Sequence, residues 1–148
     1  GNNVWTYGAW WRSSLTPTVS DKVYHEQKIL WEGTWYMNAS QSIDLSGDKA
    51  ISKQANGIVL VFSRYSSSTA HNYHFNSFFI PKIQISQHGG CGHTFLLTTE
   101  GTFSVVASKY LYIHDTKIEG NDQNSKTGEA SGITFANNGF VLRYVYGV

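Results

Sequence analysis

The chain has 148 residues, a formal net charge of +1 and 14% charged residues, against about 25% in an average soluble domain, while aromatic residues reach 15%. That length suits one domain around one core. Eleven Lys and Arg scattered among ten acids form no basic stripe, so nucleic acid is not an expected partner. The longest apolar runs, "GIVLVF" and "FVLRYVYGV", fall far short of the roughly 20 residues that span a bilayer, and no membrane association is expected.

The chain opens with "GNNVWTYGAWW", without an initiator methionine, which reads as the C-terminal piece of something longer. Residues 1–28 form an aromatic-rich segment, a candidate shaft junction. Leaving Trp5, Trp10 and Trp11 all exposed on a monomer would create a patch that soluble proteins avoid, so this segment is assigned mainly to a subunit interface. The single Cys91 excludes an internal disulfide and leaves folding to packing.

From residue 29 onward the apolar residues alternate or cluster with β-branched and aromatic neighbours between Gly, Asn and Ser punctuation. The fold class is therefore all-β, an antiparallel β-sandwich or jelly-roll-like domain over residues 29–148. Strands are predicted near Lys28–Met37, Ser42–Leu45, Gly57–Arg64, Tyr73–Gln84, His93–Thr98, Thr102–Ala107, Tyr110–His114, Gly132–Ala136 and Phe140–Tyr146. Trp31 and Trp35 share the face of Ile29 by the period of two and are read as core. "GITFA" and "FVLRYVY" bracket Asn137, Asn138 and Gly139, residue types that suit a tight hairpin. "EGNDQNSKTGEAS" over Glu119–Ser131 and "RYSSSTAHN" over Arg64–Asn72 read as solvent-facing loops.

Saccharide binding needs flat aromatic faces for the apolar side of a sugar ring, with donors and acceptors nearby for its hydroxyls. Arg64, Tyr65, His71, Asn72, Tyr73 and His74 gather that combination around one predicted loop, and His114 with Asp115 ends another strand. The competing reading makes Tyr65 and Tyr73 half-buried rim residues and the histidines merely solvated. His88, Cys91 and His93 are zinc ligands by type, but their spacing matches no structural zinc pattern, and a glycine-rich turn accounts for the same residues. No metal or cofactor is expected. Glu32 lies within a strand, and Asp48, Glu100, Asp122 and Glu129 lie in polar turns, so no carboxylate pair for glycoside hydrolysis stands out, and no nucleophile elbow or phosphate loop is present.

The segments "LWEGTWYMNASQSIDL", "NGIVLVFSRY", "FNSFFIPK" and "GFVLRYVYGV" resemble the C-terminal head domain of tail-tip receptor-binding proteins from siphophages of Gram-positive bacteria, particularly streptococci and lactococci. The likeness runs from about Ile29 to the C-terminus, and its segments are mainly core strands. It implies a homotrimer on the virion's tail tip, joined to tail or baseplate proteins. Its expected ligand is host cell-surface polysaccharide or teichoic acid, bound without catalysis. The receptor-contacting loops of such heads differ with host, so no family motif assigns site residues here. The alternatives are a carbohydrate-binding module of a polysaccharide-degrading enzyme and a structural tail tip without direct recognition.

Overall fold

A computed structural model describes residues 27–100 and 104–148, so the expectations for Trp5, Trp10, Trp11, Thr102 and Phe103 lie outside the described residues. The described chain is all-β and sandwich-like, built from two curled sheets and one short helix. The first sheet takes strands β1 (Lys28–Trp35), β3 (Gly57–Ser66), β4 (Thr69–Ala70), β5 (Asn76–Pro81) and β11 (Phe140–Gly147). The second takes β2 (Ser42–Asp44), β6 (Cys91–Thr98), β7 (Val106–Ile113), β8 (Lys117–Glu119), β9 (Thr127–Ala130) and β10 (Ile133–Ala136). Helix α1 (Lys82–His88) links the sheets between β5 and β6.

In the first sheet β11 lies between β1 and β3, and β5 pairs with the first half of β3. The strongly apolar β3 can occupy this interior position because both its faces are covered. Ile58, Leu60 and Phe62 are fully buried inward, and Val61 and Ser63 on the other face are nearly so. Leu142 and Val145 of β11 join them, facing Leu97, Ala107, Leu111 and Ile113 of the second sheet across one core. Each such aliphatic side chain contributes about 1.5–3 kcal/mol by leaving water.

Trp31 and Trp35 are partly buried against this core, their rings 5.2 Å apart. Ile29 does not share their face. A register shift between Ile29 and Trp31 breaks the alternation, so Leu30 is buried while Ile29 is 58% exposed. Ile29 instead heads an outward row running through Tyr146 and Val59 to Phe79, which is 53% exposed.

Three other expectations are corrected. The run Asn137–Gly139 is a 3-10 turn between sheets, not a hairpin, and β10 pairs with β9 and β7 while β11 pairs with β1 and β3. The Asn137 side chain explains the crossing: it accepts from Ser108 N at 2.7 Å and donates to Gln123 O at 2.8 Å, which ties the turn to the second sheet. The strand expected over Tyr73–Gln84 stops at Pro81, after which Ile85 turns inward from α1. The strand expected over Tyr110–His114 is the end of the longer β7, which begins at Val106, runs through Ser108 and Lys109 and stops at Ile113.

The two polar segments also carry structure. Glu119–Ser131 contains β9 and a 3-10 turn, Asp122–Ser125, whose Asn124 is 1% exposed. Arg64–Asn72 contains the β3–β4 hairpin, closed by Ser67 and Ser68 at φ 51° and 58°; successive positive φ angles suit the twist of paired strands. A second tight hairpin joins β9 to β10 through Ser131 and Gly132 at 53° and 77°.

Because Tyr144–Gly147 pair with strands on both sides and Val148 exchanges backbone bonds with Gly57, this end is the centre of the first sheet. Deleting Tyr144–Val148 should abolish the cooperative thermal transition followed by near-ultraviolet circular dichroism. A truncated protein that still melts sharply near the intact protein's temperature would contradict this assignment.

Candidate functional site

An open groove of about 440 Å³ lies where the β3–β4 hairpin meets the turn before β11. Tyr36, Arg64, Tyr65, the serines Ser66–Ser68, Asn138 and Gly139 line it. The two tyrosine rings meet edge to face, with centroids 5.2 Å apart and planes at 84°. Burial first, and then the neighbouring Tyr65 hydroxyl, raises the pKa of Tyr36. The Tyr36 phenol therefore remains a neutral hydrogen-bonding group at ordinary pH.

Arg64 gives the groove its rigid rim. Its Nη1 donates to Tyr65 O at 2.5 Å and to Gly139 O at 2.8 Å, joining β3 to the Asn137–Gly139 turn. Gly139 permits this contact, since a Cβ there would lie 3.1 Å from Nη1 and 3.0 Å from Val105 Cγ1.

Beneath the groove lies an unusual polar node. Lys109 faces the core from β7 and is fully buried, although a lysine is seldom buried without an ionic partner. Its Nζ donates to Asn124 O at 2.7 Å and Tyr36 O at 3.1 Å, and sits 5.5 Å from the centre of the Tyr36 ring. Asn124 in turn accepts from Tyr110 N at 2.7 Å and donates to Met37 O at 2.7 Å and Tyr110 O at 2.8 Å. Burial pushes the Lys109 amine from 10.5 down to about 7.

The expected cluster is thus divided. Arg64 and Tyr65 line the groove, whereas His71, Tyr73 and His74 form an aromatic row beyond Ser66. Ser66 connects the two through Oγ, 2.9 Å from His71 Nε2. His71 stacks on Tyr73 at 4.8 Å, and Tyr73 remains 49% exposed. His74 adopts φ 51° and places Nε2 3.2 Å from Glu100 Oε2, while Asn72 is exposed beside them.

The other candidates are elsewhere. Asp115 receives Ser52 N at 2.7 Å and Ser52 Oγ at 2.9 Å, so it caps the 3-10 turn Ile51–Lys53. His114 Nε2 and Lys117 Nζ converge on Glu119 at 2.8 and 3.0 Å, and the Lys117 hydrogen bond heads the influences that hold the Glu119 carboxyl below its usual pKa. His88 is exposed at the end of α1, Cys91 is exposed on β6, and His93 Nδ1 lies 3.1 Å from Cys91 O. Gly90, at φ 82°, makes the turn between α1 and β6. No three His, Cys, Asp or Glu side chains among the described residues are placed to share a metal ion.

The sequence carries no site signal for Tyr36, Ser67, Ser68 or Lys109, and the composition around Asn138 suits a hairpin and not a binding groove. Ser-Ser is a weak turn signal. The fold and groove define an all-β sandwich-like domain with an aromatic and hydroxyl-rich recess at one end. No protein-family model matches the chain, and no curated protein matches it either.

Two stability measurements check these assignments. Asp115→Ala should cost about 1 kcal/mol in urea unfolding, the scale of a lost cap, with an unchanged denaturant slope; an unchanged midpoint would remove its capping role. For Lys109, the unfolded chain binds a proton that the folded chain declines between pH 7 and 10.5. Stability should therefore rise with pH from about 7 towards 10, and Lys109→Met should lack that rise. The raised pKa values of Tyr36 and Tyr146 work in the opposite direction only above about 10.

Proposed function

We propose that the chain is the non-catalytic head of a phage receptor-binding protein, attaching the virion's tail tip to host cell-wall saccharide or teichoic acid through the groove. The observation carrying this reading is the meeting of Tyr36 and Tyr65 with Arg64, three serines and Asn138 in one recess. Aromatic faces suit the C–H side of a sugar ring, and hydroxyl, amide and backbone groups suit its hydroxyls. The resemblance of the strand segments to such heads adds the biological setting. The exposed Tyr73, stacked on His71, offers a further sugar-facing surface next to the groove.

The described lining contains no carboxylate, which favours binding over glycoside hydrolysis. Its one charged group, Arg64, keeps a teichoic acid phosphate within the ligand class. Homotrimeric assembly would need an apolar contact surface, and the outward row Ile29–Tyr146–Val59–Phe79 is available for one. A site of millimolar affinity contributes only about 4 kcal/mol. Several heads on one virion would strengthen attachment by avidity, so weak sites suffice.

Fluorescently labelled protein should bind saturably to cells of at least one strain in a panel of streptococci and lactococci, and lose binding when wall polysaccharide is chemically removed. Tyr65→Ala should weaken that binding at least about tenfold, equivalent to about 1.4 kcal/mol, while keeping the native circular dichroism spectrum. Light scattering should give three times 16.6 kDa. A folded protein that binds no strain, or binding indifferent to both polysaccharide removal and Tyr65→Ala, would overturn the reading.

A further inference from the structure

We infer that Lys109 is a positioning residue for the groove: from inside the core it holds the Tyr36 segment in place, and its ionisation sets how firmly the Tyr36–Tyr65 wall is fixed. This rests on the reading of the groove as the saccharide-binding surface. Lys109 has no solvent exposure, so it acts through Tyr36 and not by touching a ligand.

The geometry gives a direct line of action. Lys109 Nζ bonds the backbone oxygen of Tyr36 and lies near its ring, while Asn124 and Asn121 N both donate to Met37 O, the next carbonyl. Met37 itself is fully buried at φ 65°, and its N–H donates to Gln41 Oε1. These bonds fix the bend that ends β1 and hold the Tyr36 ring in its edge-to-face contact with Tyr65. A lysine is seldom kept without an acid in an interior that a methionine would fill more cheaply.

The groups around Lys109 define what its proton does. Tyr36 and Asn124 supply carbonyls, Phe95 lies opposite in register on β6, and Ala107 and Leu111 flank it on β7. Among the described residues, no carboxylate lies within ion-pair distance of its nitrogen. Ammonium and amine can each donate to both carbonyls, but only the ammonium also attracts the Tyr36 ring face. Loss of the proton should therefore relax the Tyr36 wall while relieving the burial cost of the charge. Ligand affinity and fold stability then move in opposite directions as pH rises through the Lys109 titration.

Opposed movement separates positioning from a purely structural role, in which affinity would follow stability. Arg64, Tyr36 and Tyr65 line the groove, the Tyr36 phenol with its pKa raised by burial, and His71, bonded to Ser66, brings an imidazole beside them. His71→Gln is therefore the background in which to read the profile.

The test uses the full chain labelled at lysine and tyrosine for NMR, with Tyr36→Phe and Tyr65→Phe for assignment and extracted wall polysaccharide as the binding probe. In His71→Gln, the ring signals of Tyr36 and Tyr65 should shift at the midpoint of the Lys109 Nζ signal. Polysaccharide affinity should fall at least about threefold across that midpoint while thermal stability rises. Lys109→Met in the same background should weaken binding at the acid end and lose the pH dependence. Ring signals that stay flat through the Lys109 titration would overturn the inference even if Lys109→Met fails to fold. Affinity that rises with stability would overturn it too. If the protein binds no polysaccharide, the proposed function fails by itself, and the ring signals still decide whether Lys109 governs the groove.

Discussion

The buried amine of Lys109 is the constraint on which the rest of the groove end depends. It requires two acceptors inside an apolar core, and the fold supplies them from opposite directions: the Tyr36 carbonyl at the exit of β1 and the Asn124 carbonyl from the turn before β9. Removing water from an amine without giving it partners would cost several kcal/mol. The polar segment around Asn124 is consequently drawn into the structure, and with it the backbone of Tyr110 and Met37. Tyr36 is carried to Tyr65 by the same set of bonds, so one buried polar node links the two sheets to the groove wall.

Around that node the packing is conventional. An aliphatic and aromatic core joins the sheets, and Arg64 closes the rim by tying the β3 backbone to the turn that precedes β11. The groove is consequently assembled from the exit of β1, the tip of β3 and the turn before β11, segments widely separated in sequence. Sites mounted on a rigid β scaffold can present loop side chains without ordering them afresh on binding, which reduces the entropic cost of recognition. This fits the proposed adhesin role, in which weak individual contacts are multiplied across copies.

Strand positions were legible where burial alone decides them. Gly57–Phe62 and Phe140–Tyr146 carry apolar runs whose only economical location is inside a sheet, and both are there. What misled was chemistry settled by distant partners. Ser108 and Lys109 fall between two predicted strands, and a lysine normally seeks solvent; only Tyr36 and Asn124, 73 and 15 residues away, make its burial tolerable. Asn137–Gly139 carried the composition of a hairpin, yet Asn137 is bound to Ser108 and Gln123, while the tight hairpins use Ser67–Ser68 and Ser131–Gly132. Of the groove, Arg64 and Tyr65 were visible because they are neighbours in the sequence. Tyr36 and Asn138 reach it only through the tertiary fold.

The central claim is that the Tyr36–Tyr65 groove is the receptor-contacting surface, and the most direct measurement is NMR mapping of oligosaccharides released from the walls of bound strains. The account predicts saturable shift changes concentrated at Tyr36, Tyr65, Ser66–Ser68 and Asn138, extending at most to the neighbouring His71–Tyr73 stack. Changes confined to a distant surface, such as the Asp115–Ser52 cap, or none with oligosaccharides from any strain, would contradict it.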